Sequence, residues 1–420
     1  MKTKLSGPAI LGLPLIFCAA LAVTACSKST KEASIELFST KGENVATLQK
    51  LADKFTAEKN GAVKITIISP QDASTVLRSR LTKNDIPDMM AIGGDSTYTE
   101  LASSGVLLDL SKESFIGSIQ ENYLQMIYDV NKDKSRTAYA VPYAANGSGV
   151  LYNKTLFEKA GITIPKTWDD FIADFDKLQK EGIKPVELTF MDSWTCLPPW
   201  NSMAPVLQPE NFTDDRRAGK TTFAATHREL LEKYLVILSR ASGDYMGTGY
   251  NDGNKNFAEG KAAMMINGNW AIPEFTKVNP SIDVDMFAFP PTNDPAKNTV
   301  TSGIDVAFAV SASSPNKELA KEFLSFLVRP ENAQLYVDEQ FAFPAVKGAS
   351  QNNRTVDGVK ADIAAGKVSN FPDHYYPSGF DLASILSQFA LNYKNGMDNE
   401  TNIAQTLAAC DKQYDAVNVK

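Results

Sequence analysis

AYAVPYAANGSGVLYNKTLFEKAGITIPKTWDDF, residues 138–171, is the stretch whose reading decides the fold. It opens on apolar residues (Ala140, Val141, Tyr143) that read as a strand, and it breaks at the Gly/Asn/Ser cluster from Asn146 to Gly149. It resumes as Val150-Leu151-Tyr152 and then enters a helix. A strand interrupted in this way changes partners. Further on, Thr167-Trp168-Asp169-Asp170 predicts a helix start, with Thr167 as N-cap, Asp170 reaching back, and Phe171, Phe175 and Leu178 as the apolar stripe.

Working outward, 420 residues are too many for one hydrophobic core and predict about two domains. The first 25 residues read as a leader: Lys2 and Lys4 make a positive start, residues 11–25 are apolar, and the run is short and contains Pro14, which suits a cleaved signal better than a membrane span. It ends in Val23-Thr24-Ala25-Cys26, the pattern of a lipoprotein processing site, so Cys26 is expected to carry lipid and open the mature chain. Two acyl chains hold a protein stably at a membrane surface. Residues 26–34 then form a polar tether.

The net charge of −7 becomes −9 when Lys2 and Lys4 leave with the leader, and no basic block appears, which excludes nucleic acid as a partner. Of the four cysteines, Cys18 lies in the leader and Cys26 would be acylated. Cys196 and Cys410 remain, either to pair or to stay as two buried thiols.

Residues 35–38 read as a strand, Val45, Leu48, Leu51, Ala52 and Phe55 as the stripe of a helix, and residues 63–68 as the next strand. Strand, helix, strand predicts a parallel sheet whose polar turn, residues 39–42, sits at its carboxyl edge, where open α/β folds bind ligands. A second unit repeats this through Val76, Leu77 and Leu81 to a strand at 86–92 that ends in Gly93-Gly94-Asp95-Ser96-Thr97. These glycines lack phosphate-loop spacing, so no nucleotide is implied. A strand at 185–190 delivers Trp194 and Pro198-Pro199-Trp200 into a loop, and a buried strand at 261–266 ends in Asn267-Gly268-Asn269-Trp270. Trp194 and Trp270 thus share a position past the carboxyl end of a strand. Residues 303–310 predict a strand, 341–346 a crossing, and 384–393 and 403–414 closing helices.

Several segments together carry a resemblance. They are Leu151-Tyr152-Asn153-Lys154 with Phe157-Glu158-Lys159-Ala160-Gly161 and Pro165-Lys166-Thr167-Trp168-Asp169, then Phe257-Ala258-Glu259-Gly260-Lys261-Ala262-Ala263-Met264 through Gly268-Asn269-Trp270, and Ser314-Pro315-Asn316-Lys317-Glu318-Leu319-Ala320. In their order and spacing, from about Ile35 to Val346, the chain resembles a family 1 extracellular solute-binding protein, the maltose-binding-protein-like sugar-binding subunit of a bacterial ABC importer. The resemblance implies an α/β, periplasmic-binding-protein-like fold of type II topology, with two α/β lobes joined by crossing hinge strands and closing over a ligand. Residues 35–143 with 305–343 would form one lobe and 144–304 with 344–420 the other. Residues 141–145 would then be the first hinge crossing, with Asn146 carried into the cleft.

On that mapping Trp270 and Trp194 match the stacking aromatics of the family, Thr40 and Lys41 its first polar loop and Asp95 its next. Asn146 stands where the maltose-binding relative has a carboxylate, a change of donor pattern that points to a different sugar. Asp72 and Asp305 join the candidate ligand-binding set; each, like Asp95, also suits an N-cap or turn. Trp200 reads equally as loop packing, and Tyr143 and Phe343 as hinge packing or cleft wall. The chemistry is that of a pyranose, whose C–H faces stack on aromatic rings while its hydroxyls pair with planar polar side chains.

The expected function is capture of a mono- or oligosaccharide and its delivery to an ABC permease, by a monomer held outside the cytoplasm through lipidated Cys26, with no cofactor, metal or catalytic residue. Two alternatives stand beside it. A secreted glycan hydrolase would need two carboxylates set across the sugar, but with only His227 and His374, no HExxH and no GxSxG, metal and triad chemistries have little material. A binder of peptide or polyamine would want carboxylates and fewer tryptophans.

Overall fold

The computed structural model describes residues 33–131, 135–241 and 243–418. The expected leader and Cys26 lie outside the described residues. Ten strands form one mixed sheet: β1 (Ala33–Ser39), β2 (Val63–Ile68), β3 (Met89–Ile92), β4 (Val141–Asn153), β5 (Lys184–Glu187), β6 (Ala262–Gly268), β7 (Val284–Phe287), β8 (Val300–Val310), β9 (Phe343–Pro344) and β10 (Val368–Ser369). The main path runs β2-β1-β3-β8-β4-β6-β5.

At one end β1 pairs in parallel with β2 and β3, the product expected when a helix returns the chain between strands. That helix, Val45–Glu58, buries Leu48, Leu51, Ala52 and Phe55, the row that a 3.6-residue period places on one face. β8 then enters antiparallel between β3 and β4.

The predicted break at 146–149 is not a gap: β4 runs unbroken for 13 residues. What the polar cluster marks is the exchange of partners. Residues 141–148 pair with β8, and from Ser148 onward the strand pairs with β6 on one edge and β7 on the other. A Cβ on Gly149 would lie 2.4 Å from the Phe287 carbonyl oxygen, so glycine is what lets β7 approach.

Beyond the exchange, alternate residues feed different cores. Val150, Tyr152, Met264 and Ile266 enter a core with Phe171, Phe175, Tyr234 and Phe389, while Leu151 and Met265 point into the core that also holds Leu37, Phe38, Phe308 and Tyr336. This is the two-residue period of a sheet covered on both faces. Helices Trp168–Lys180, Arg228–Arg240, Leu382–Lys394 and Asn399–Val417 cover one face. Thr167 caps the first of them as predicted: its Oγ1 accepts from the Asp170 N–H at 3.1 Å and donates to the Asp170 carboxylate at 2.7 Å.

The loop expected at 198–200 is revised, and the open alternative for Cys196 and Cys410 is settled. Pro198-Pro199-Trp200 is not loop but the first turn of helix Leu197–Leu207, where a proline is tolerated because its missing N–H has no intrahelical partner. Cys196 and Cys410 are both free and buried, and burial pushes both thiols well above their ordinary pKa. Among the described residues no helix is long and apolar enough to cross a membrane.

Candidate ligand cleft

The carboxyl ends of β1, β2 and β3, the middle of β4 and β8, and the loops after β5, β6 and β10 wall a cavity of about 660 Å³. Eight of the eleven candidates line it: Thr40, Lys41, Asp72, Asp95, Asn146, Trp194, Trp270 and Asp305.

Each is held by its element. Thr40 is pinned to β3 by its N–H, 3.0 Å from the Ala91 carbonyl. Lys41 follows it, its N–H donating to Ser39 Oγ at 3.1 Å and its ammonium to both Asp305 oxygens at 2.7 and 2.9 Å. Asn146 Nδ2 stands 3.5 Å from Asp305 Oδ1, and Asn146 Oδ1 has no hydrogen-bond partner. Asp95 is an N-cap, accepting from the Thr97 N–H at 2.8 Å. Asp72 sits in the left-handed region at φ 53°, an uncommon conformation that places its side chain on the wall.

Trp270 owes its place to its neighbours. Asn269 Oδ1 accepts from the Gly147 N–H at 2.6 Å and its Nδ2 donates to the Phe341 carbonyl at 3.0 Å, tying the end of β6 to β4 and to the 341–346 crossing. The indole then folds over Gly268, where a Cβ would stand 2.0 Å from its Cζ3. Trp194 meets Tyr250 edge to face, ring centroids 4.8 Å apart.

Three candidates do not reach the cavity. Tyr143 is buried against Phe308 and Tyr336, because the β4–β8 register shifts between Pro142 and Ala144 and so turns the side chain inward. Trp200 is fully buried, stacked on His227 at 5.0 Å, since it belongs to a helix. Phe343, in two-residue β9, packs its ring over Gly147 within the core.

The cavity also has walls that the sequence reading missed: Glu43, Gln71, Asn201, Tyr250, Phe371, Asp373 and His374. The last three come from one segment after β10, and the run Asn370-Phe371-Pro372-Asp373-His374-Tyr375-Tyr376 was its only sequence signal. Phe371 and His374 stack at 4.9 Å, and Phe371 faces Trp270 at 6.4 Å. Asp373 Oδ1 and Asn201 Oδ1 have no hydrogen-bond partners, and burial raises the Asp373 pKa. The segment is anchored twice. Tyr375 packs against the core of Leu37 and Phe308, whereas Tyr376 enters the core of Phe171 and Tyr234. The Arg217 guanidinium donates to the Tyr375 carbonyl at 3.0 Å and the Ser378 hydroxyl to Glu100 at 2.9 Å.

The electrostatics are one-sided. Of the five carboxylates on the wall, Asp305 is matched by Lys41, leaving Glu43, Asp72, Asp95 and Asp373 with His374. Burial, and after it the charge of Glu43, lifts Tyr250 far above the ordinary phenol range, so it stays a neutral hydroxyl. Among the described residues no group of three or more His, Cys, Asp or Glu could hold a metal ion. The wall thus sets carboxylates and amides beside aromatic rings.

The comparisons follow the same line. The multiple sugar-binding protein of Streptococcus mutans is 29% identical over 82% of this chain and 83% of its own, and the melibiose/raffinose/stachyose-binding protein MelE of Bacillus subtilis is 22% identical over 77% of each. The solved structure of the solute-binding protein RafE with raffinose superposes with a TM-score of 0.80 at 22% identity, over 91% of this chain and all of that one. A Bacillus licheniformis sugar transporter with stachyose gives 0.75 at 18%, again over 91% of this chain and all of that one. These likenesses fix the fold as periplasmic-binding-protein-like. Residues 39–334 match the bacterial extracellular solute-binding protein family, and with that match over most of its length the chain belongs to this family of binding proteins, not of enzymes.

Proposed function

We propose that the protein captures a neutral oligosaccharide in this cavity outside the cytoplasm and presents it to an ABC permease, held to the membrane through lipid on Cys26. The observation that carries the reading is the pairing of wall chemistries: Trp194, Trp270 and Phe371 supply apolar faces, while Asn146, Asn201, Asp72 and Asp95 set planar polar side chains beside them, the groups that pair with ligand hydroxyls. The volume lies within the ~300–1,000 Å³ of small-molecule sites.

The acidic wall separates the relatives. The sn-glycerol-3-phosphate-binding UgpB of Shigella flexneri is 24% identical, but a phosphate here would face unmatched carboxylates with Lys41 already engaged by Asp305. Residues 35–143 with 305–343 and residues 144–304 with 344–420 are the lobes we assign, with residues 141–145 as one hinge. Closure brings both sets of wall residues onto the ligand and shifts the population of states. A thermal-shift screen of melibiose, raffinose, stachyose, maltose, glycerol 3-phosphate and spermidine tests the reading, because a bound ligand raises stability by mass action. Stabilisation by sugars is expected; stabilisation by spermidine or glycerol 3-phosphate alone would overturn it.

A further inference from the structure

Large apolar side chains are exposed at only four places among the described residues, and two of them, Met191 at 63% and Trp194 at 38%, stand three residues apart on the loop after β5. Single exposed apolar groups are ordinary, but these two share a foundation. Trp194 rests edge to face on Tyr250, and the Met191 methyl group stands 3.6 Å from where a Cβ of Gly249 would be. Both therefore cover the Gly249–Tyr250 turn. The loop is clamped there: the Met191 N–H donates to the Thr248 carbonyl at 3.3 Å, and Asp192 Oδ2 accepts from the Tyr250 N–H at 2.6 Å. An exposed thioether on a mobile tip would mean little. On a loop held on both sides it is a fixed apolar surface.

Its position gives it an occupant. Trp194 and Tyr250 line the cavity, Trp194 is more than a third exposed, and Met191, more exposed still and outside the lining, sits beside them over Gly249, so the apolar surface continues from the cavity wall past the lining residues. We infer that Met191 and the outer part of Trp194 form an outer subsite for the sugar units that project from the cavity, making the physiological ligand an oligosaccharide of three or more units. This rests on the sugar-binding reading above. A pyranose C–H face covers exposed apolar area without needing hydrogen bonds from a wall that here supplies few. Met191 adds a polarisable, adaptable contact, suited to a chain end whose orientation varies.

The test is calorimetric titration of the purified protein and of Met191→Ser with two graded series, melibiose, raffinose and stachyose, and maltose to maltotetraose. The expected result is that Met191→Ser leaves the disaccharide affinity unchanged and weakens the tetrasaccharide of the bound series by about 3- to 10-fold, ~0.7–1.4 kcal/mol. An equal effect on short and long sugars, or none on either, overturns the outer subsite and leaves sugar binding intact. Binding of no member of either series overturns both. A second readout needs no variant: hydrogen peroxide transfers one oxygen to the Met191 thioether, giving sulfoxide and water. Mass spectrometry should find that oxidation slowed by the tetrasaccharide and not by the disaccharide, and equal rates overturn the subsite.

Discussion

Lys41, just past the end of β1, places its ammonium 2.7 Å from Asp305 in the middle of β8, with side-chain exposures of 14% and 9%. Residues 264 positions apart are thereby locked at the floor of the cavity. Removing one partner strands the other in a poorly hydrated place, where Asn146 at 3.5 Å is a weak substitute. Lys41→Met is expected to cost about 2–3 kcal/mol, below the full value for a deeply buried pair because the cavity admits solvent. The double variant Lys41→Met with Asp305→Leu should recover more than half of that. Urea unfolding of Lys41→Met, of Asp305→Leu and of the double variant measures it, and a double variant as unstable as the summed singles would show that the pair is not coupled.

A second prediction concerns a residue that touches no ligand. Because Gly268 sits beneath the Trp270 indole, with 2.0 Å between a built Cβ and the ring, Gly268→Ala must push the indole off its seat. Sugar affinity should fall on the order of 10-fold, about 1.4 kcal/mol, as it should for Trp270→Ala. Calorimetric titration beside unchanged far-ultraviolet circular dichroism would establish this. Wild-type affinity in Gly268→Ala would remove Trp270 from the site.

The residues that were legible in the sequence are those whose place follows from a strand end. Thr40, Asp95 and Trp270 come directly after β1, β3 and β6, and a period-two strand announces where its carboxyl end is. Asp305 differs: read as a ligand candidate that also suits an N-cap or turn, it lies mid-strand in β8. Tyr143 stayed open between hinge packing and cleft wall because a register shift, which leaves no compositional trace, decides which face it takes. Trp200 was misread because two prolines look like loop until their position in a first turn is known. Phe371, Asp373 and His374 were invisible because their segment is placed by two-residue β10, whose pairing with Val300 and Thr301 of β8 joins distant parts of the chain. The parallel units at β1 to β3 needed only local periodicity.

The contact between Ser378 and Glu100 yields a kinetic prediction. The serine lies on the segment that brings Asp373 to the cavity, and Glu100 on helix Ser96–Ser103 of the other proposed lobe. A hydrogen bond to an exposed carboxylate is worth only ~0.5–1 kcal/mol, but one made across the lobes acts on the closed state alone. Ser378→Ala should therefore weaken sugar binding about 2- to 5-fold, nearly all of it as faster dissociation. Stopped-flow tryptophan fluorescence resolves the two rates. An unchanged dissociation rate would mean that this contact persists in the open state.

The final prediction concerns pH and the buried ring that carries Trp200. His227 is 1% exposed, stacked on Trp200 and set edge-on to Phe212 at 4.4 Å. Its ring nitrogens contact Thr226 Oγ1 at 2.8 Å and Gln208 Oε1 at 3.2 Å. Burial lowers its pKa from 6.5 to about 3. Between those values the unfolded chain binds a proton that the folded chain refuses, so stability must fall as pH drops below 6.5, approaching ~1.4 kcal/mol per pH unit until the folded ring itself titrates. Asp174, Asp285 and Asp373 oppose this. Burial raises their pKa values in the fold, so their destabilising effect is present at neutral pH and is relieved in acid. A comparison isolates the histidine: His227→Gln keeps a polar group for Thr226 and Gln208 but cannot titrate. The unfolding free energies of wild type and His227→Gln should differ by a constant above pH 7.5, and the difference should move steadily in favour of the variant from pH 6 to pH 4. Parallel curves over that range would mean that the ring is already protonated in the fold, and that its stacking on Trp200 is a cation–π contact instead of a neutral one.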